Sequence, residues 1–208
     1  MDVPKASCNV ERPELSSNKS FLMPTETTRK LFTVQDYYRM AEVGILTDQD
    51  RVELIEGEVI EMSPIGKRHA MTVNRATMLF ARGIGDKAVV SIQNAAHLDD
   101  YNEPQPDVVL IRPREGFYGT GHPEPEDVLL LIEVAESSLR FDRKVKLPIY
   151  ARSGIPEVWI VDLNTDVIHI FRNPKEGNYL DLTSKGRGEA LSVEAFPNFS
   201  IRVDELLG

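Results

Sequence analysis

Cysteine is almost missing from this 208-residue chain: Cys8 stands alone, so no disulfide can form within it and no cysteine cluster can hold zinc. No apolar run approaches the roughly 20 residues that a membrane-spanning helix needs, and Met1 to Ser20 lacks the apolar centre of a secretory signal. Positive charge is also in short supply. Lys and Arg number 24 against 33 Asp and Glu, a net charge of −9 at pH 7. That balance argues against a nonspecific nucleic-acid coat, whose binding depends on basic surface. A pocket that collects carboxylates is compatible with it. From these absences we expect a cytoplasmic protein with one sizeable core and no membrane partner.

What is present falls into two parts. Residues 1–30 are rich in Ser, Pro, Thr and charge without a sustained period, which predicts a disordered or loosely packed arm. Residues 31–208 carry the periodic patterns of a single domain. Thr33 predicts the cap of a helix from Val34 to about Val43, with Gly44 as its stop. Val52 to Met62 reads as a hairpin turning at Glu56-Gly57. Arg68 to Arg82 has helical spacing, with Met71 and Met78 expected in the core and Gly83 and Gly85 closing the helix. Ala88 to Ile92 and Ala95 to Leu98 read as short strands. Arg112 to Glu126, full of Gly, Pro and charge, reads as a variable surface loop, with a length that also allows a flexible flap.

Two acids stand where acids are costly. Val128 to Val134 is apolar on both alternating faces except at Glu133, and Val108 to Ile111 continues in the same way from Asp107. An ionised carboxylate so placed costs several kcal/mol to desolvate, of the order given for buried ions, unless a metal ion or a lysine meets it. The helix that follows supplies a lysine: Arg143, Lys146, Leu147 and Tyr150 fall on one side of a 3.6-residue period, and Pro148 predicts a kink near Lys144. Alternation also leaves Glu53 in line with Ile55, so it can face inward. The basic residues Arg140, Arg143, Lys144 and Arg152 read equally well as a phosphate-facing patch and as a solvated helix face. After Gly154-Ile155-Pro156, Glu157 to Asp162 and Asp166 to Phe171 predict a hairpin, Asn178 to Leu182 an edge strand, and Phe196 to Leu207 a closing strand and helical turn. Trp159, Val161, Ile168 and Ile170 are expected in the core. The whole predicts one α/β domain, a mixed central sheet flanked by helices, with C-terminal hairpins.

Pro106-Asp107, Glu133-Val134-Ala135 and the downstream Lys146 resemble, in this order, the PD-(D/E)XK nuclease superfamily. Ala135 departs from the pattern, since a lysine is expected there, and Lys146 resembles the migrated lysine of some branches. A wider set resembles the Uma-two family of restriction endonucleases. It comprises Phe32-Thr33, Glu53-Leu54-Ile55-Glu56-Gly57, Met62-Ser63-Pro64 with His69, Gln93, Pro106-Asp107, Ile132-Glu133-Val134, Lys146, and Tyr150-Ala151 through Trp159. The resemblance implies a restriction-endonuclease-like core and Mg²⁺-dependent hydrolysis of phosphodiester bonds in DNA, with Mn²⁺ as substitute. It implies Asp107 and Glu133 as metal ligands with Glu53 assisting, Lys146 orienting or deprotonating the attacking water, and His69 and Gln93 as supporting or substrate-contact residues. Cutting both strands implies a homodimer. The geometric condition is that Asp107 and Glu133 share one face of the sheet. The alternative, favoured by Ala135 and the acidic charge, is a catalytically silent nuclease-like module that binds DNA or protein.

Overall fold

Local signals fix the first elements. Thr33 and Asp36 cap α1 (Val34–Glu42) reciprocally: Thr33 Oγ1 accepts from Asp36 N–H at 3.1 Å, and Asp36 Oδ2 accepts from Thr33 N–H at 3.0 Å. The hairpin of β1 (Val52–Ile55) and β2 (Glu58–Glu61) turns at Glu56 and Gly57, with φ of 49° and 74°. Two consecutive left-handed residues are what a two-residue hairpin turn requires. The computed structural model describes residues 28–47, 49–119 and 121–208, so the arm expected at 1–30 lies almost wholly outside the described residues. Leu31–Gly208 forms one compact unit.

Next come α2 (Lys67–Ile84), β3 (Val89–Ile92), β4 (Val108–Ile111) and β5 (Val128–Ala135). The chain continues through α3 (Leu139–Phe141), a π-helical turn (Asp142–Lys146) and α4 (Leu147–Arg152). It finishes with β6 (Glu157–Asp162), β7 (Val167–Lys175), β8 (Asn178–Lys185), β9 (Ala190–Val193), β10 (Phe196–Arg202) and α5 (Val203–Leu207). The main sheet runs β3-β4-β5-β6-β7-β8, and only β5 and β6 are parallel. A parallel pair needs a crossover, and the helical stretch from Leu139 to Arg152 provides it. The sheet is therefore mixed and covered on both faces.

All residues of β5 are buried, as are all those of β4 and β6. Phe80 and Val73 of α2, Trp159, Ile168, and the C-terminal Leu206 pack on one face. Ile149 and Tyr150 of α4 pack on the other with Ile55, Leu131, Val158 and Ile160. Trp159, Val161, Ile168 and Ile170 are buried as expected. No helix among the described residues is long and apolar enough to cross a membrane.

Three local expectations are corrected, and one alternative falls away. Met71 and Met78 are 41% and 43% exposed, because α2 buries the face of Thr72, Val73, Ala76, Phe80 and Ile84 instead. The small Ala76 and Thr72 let that face approach the sheet, whereas the methionines lie about 170° away, on the opposite side of the helix. Gly83 sits inside the helix rather than ending it, where a Cβ would stand 1.9 Å from Phe199 Cε2. Residues 95–98 form no strand; Ala96 N–H bonds to Pro104 O and Leu98 N–H to Asn102 O, both at 3.0 Å, within a loop. The loop from Arg112 leaves β4 and re-enters at β5 at the end of that pair remote from Asp107 and Glu133, so it does not cover them.

Candidate active site

The antiparallel register of β4 and β5 pairs Val108 with Ile132, which sets Asp107 opposite Glu133. Directly opposed residues point to the same face, here the face covered by α4. The link is tight: Val134 N–H donates to Asp107 Oδ2 at 2.8 Å. Both carboxylates line one cleft, together with Glu53, His69, Asp142 and Lys146.

Lys146 is 5% exposed. Its ammonium lies 2.9 Å from Glu53 Oε2 and 3.3 Å from Glu133 Oε1. Glu53 Oε2 also accepts from Gln105 N–H at 3.1 Å. Tyr150, fully buried on α4, donates to Glu133 Oε1 at 2.5 Å. Pro148 explains the helix that carries these groups. It has no N–H to return to the carbonyl of Lys144, and the disruption expected there takes the form of the π turn Asp142–Lys146. Within this turn Arg143 and Lys144 stay exposed while Asp142 and Lys146 are buried.

Asp107 is held from two sides. His69 Nε2, in the first turn of α2, stands 2.9 Å from Oδ2, and Gln93 donates from its side-chain amide to Oδ1 at 3.2 Å. Gln93 adopts φ of 50°, a left-handed conformation unfavourable for a residue with a Cβ, and its own N–H bonds to the Asp107 carbonyl at 3.2 Å. A carboxylate can only accept, so His69 Nε2 carries the proton; its Nδ1 is buried without a partner among the described residues.

The charges do not balance within the protein. Burial pushes Glu133 up to about 8 despite the pull of Lys146, and burial likewise lifts Asp142 to about 6. Burial pulls Lys146 down, but Glu133, Glu53 and Asp142 outweigh it and hold the lysine above its ordinary value. One ammonium therefore serves several acids. Such an oxygen-rich, cation-poor pocket fits a hard divalent ion, with Asp107 and Glu133 as the pair that would hold it. Among the described residues no three His, Cys, Asp or Glu groups are already arranged as a metal site, and Glu53 is engaged by Lys146.

Five of the six residues singled out from the sequence line this cleft, and the sixth, Gln93, reaches it through Asp107. Asp142 and the hydroxyl of Tyr150 were not anticipated. Asp142 lies four positions before Lys146 and gave a signal in that spacing, but next to Arg143 and Lys144 it reads as surface charge. His97 belongs elsewhere, with Nδ1 3.2 Å from Glu103 Oε2.

Two buried acids, one just before β4 and one near the end of β5, thus meet a buried lysine of the helical crossover in a mixed α/β domain. The fold matches a crystal structure of a putative nuclease belonging to DUF820 from Anabaena variabilis ATCC 29413, with a TM-score of 0.66 over 85% of this chain and 97% of that one. Sequence identity is 14%, so the likeness is one of fold. No curated protein matches in sequence. The family model Uma2, described as "Putative restriction endonuclease", matches residues 34–204. The chain belongs to the Uma2 family.

Proposed function

We propose that this protein is a divalent-metal-dependent DNA endonuclease that hydrolyses phosphodiester bonds. The observation that carries the reading is Lys146, a buried ammonium bridging Glu53 and Glu133 on the face of the sheet that Asp107 shares. Asp107 and Glu133 would hold Mg²⁺ or Mn²⁺, with Glu53 joining once released from Lys146. The bound ion would polarise the phosphate and lower the pKa of water.

The chain's own groups supply the rest. His69 and Gln93 fix the orientation of Asp107, and Tyr150 fixes that of Glu133. Lys146 stays charged, because its pKa is raised. It therefore donates hydrogen bonds, orients the attacking water and stabilises the charge that develops on the phosphate as the bond to the leaving oxygen breaks. For cutting both strands, a twofold homodimer matches the symmetry of the duplex. Sedimentation at micromolar protein tests the assembly.

The second reading, a silent nuclease-like module, is favoured by one observation: no three-ligand metal group is preformed among the described residues. Purified protein incubated with supercoiled, linear and single-stranded DNA decides between them. Nicking that requires Mg²⁺ or Mn²⁺ and stops with chelator is expected of the nuclease. DNA binding without cleavage at any metal concentration would favour the module.

A further inference from the structure

Six carboxylates line the cleft (Glu53, Glu61, Asp107, Glu133, Glu136 and Asp142) against two permanent cations, Arg51 and Lys146. A DNA strand that brings a phosphate here meets a negative wall. Lys146 is already committed to Glu53 and Glu133 at the buried end. Arg51 is not committed. It is exposed, its Nη1 donates to the Ser63 carbonyl at 3.2 Å, and among the described residues no carboxylate lies within ion-pair distance of it.

Backbone geometry explains its aim. Met62 N–H bonds to Arg51 O at 2.8 Å, which extends the β1–β2 ladder by one pair beyond Val52 and Glu61. Side chains two apart on an extended strand share a face, so Arg51 follows Glu53 on the cleft side, about 6.6 Å further toward the mouth. Ile60 and Met62, the partners of Glu53 and Arg51, line the same cleft. The Ser63 carbonyl holds one guanidinium nitrogen and leaves the other donors of the fork open, and that planar fork matches a phosphate better than a point charge does.

We infer that Arg51 is the residue that receives the substrate's phosphodiester at the cleft mouth, contacting backbone phosphate without reading bases. This rests on the endonuclease reading above, and it assigns to that site the contact that draws an anion past its carboxylates. Arg51 contributes to binding rather than to the chemical step.

The test is fluorescence anisotropy with a short fluorescein-labelled duplex, without added metal so that no turnover occurs, over a series of salt concentrations. Arg51→Gln keeps a donor for Ser63 but drops the charge; Arg51→Lys keeps the charge. The expected result for Arg51→Gln is weaker binding of every duplex sequence and a log Kd against log salt slope smaller by about 0.9, one phosphate contact. Arg51→Lys should retain the parent slope. In cleavage assays Arg51→Gln should raise KM with kcat nearly unchanged, and calorimetric Mn²⁺ affinity should not fall. Parent-like affinity and slope in Arg51→Gln would overturn the inference and leave the endonuclease reading standing. An equal loss in Arg51→Lys and Arg51→Gln, with lowered thermal stability, would show that Arg51 serves only to hold the Ser63 loop. A parent protein that neither binds duplex nor nicks DNA when Mn²⁺ is supplied would overturn both.

Discussion

Lys146 Nζ stands 2.9 Å from Glu53 Oε2, joining the first hairpin of the domain to the crossover helix through a buried ion pair. The same ammonium reaches Glu133 at 3.3 Å, so one side chain ties β1 to β5 across the cleft. Removing it therefore does two things. Lys146→Ala is expected to abolish metal-dependent cleavage, and the uncompensated carboxylates should also lower folding stability by about 3–5 kcal/mol. The burial of the lysine at 5% exposure gives it this structural role beside the chemical one. Lys144→Ala, on the exposed side of the same turn, should alter neither. Urea unfolding and plasmid nicking on both variants check the pair.

Asp107→Asn and Glu133→Gln keep side-chain volume and remove one metal-binding carboxyl group each. Calorimetry should show Mn²⁺ affinity falling at least tenfold in either variant, the loss of about 1.4 kcal/mol or more that one charged ligand represents. Circular dichroism should remain native. Unchanged Mn²⁺ binding in both would rule these residues out as ligands.

Stability should depend on pH in an unusual direction. The folded pKa of Glu133 is raised to about 8 and that of Asp142 to about 6, so the folded state binds more protons than the unfolded chain above the ordinary carboxylate range. Stability then declines as pH rises from about 4.5 to about 8. Lys146, held above its ordinary value, remains charged throughout that window. Thermal midpoints measured in chelator should fall across it, and Mn²⁺ should restore more stability at its alkaline end. A midpoint that rises from pH 5 to pH 8 in chelator would contradict the assignment.

Tyr150→Phe keeps the buried ring and removes the donor to Glu133 Oε1. With the Glu133 pKa raised to about 8, the bond at neutral pH joins uncharged groups, so its loss should cost about 0.5–1.5 kcal/mol of folding stability. Because the hydroxyl also fixes which Glu133 oxygen is left open, Mn²⁺ should bind more weakly while kcat at saturating metal changes little. Metal titrations of cleavage separate these two effects.

Much of this site was legible because burial and charge conflict in the sequence. Glu133 and Asp107 betray themselves by interrupting or beginning runs that are apolar on both faces, and strand pairing then brings them together. Glu53 was legible only in part, since a single acid on a short hairpin reads the same whether it faces solvent or a lysine. Asp142 was hidden by its neighbours Arg143 and Lys144, which make it read as surface charge, and the face of Tyr150 was legible but not the partner of its hydroxyl. Met71 and Met78 misled because apolar character does not say which face of a helix meets the sheet. The position of the Arg112 loop depended on strand direction, which only the register supplies.

The wide turn between Asp142 and Lys146 has a further consequence, for chain length rather than for chemistry. On a regular α-helix Phe141 and Tyr150 would face about half a turn apart. Here both pack in the same apolar cluster on the cleft side of the sheet. Loss of one residue from the turn would re-phase everything upstream by about 100°, carrying Phe141 and Asp142 away from the cleft while leaving Lys146 and Tyr150 in place. Spacing in this segment is thus part of the site, and alignments that close a gap here would separate its two halves.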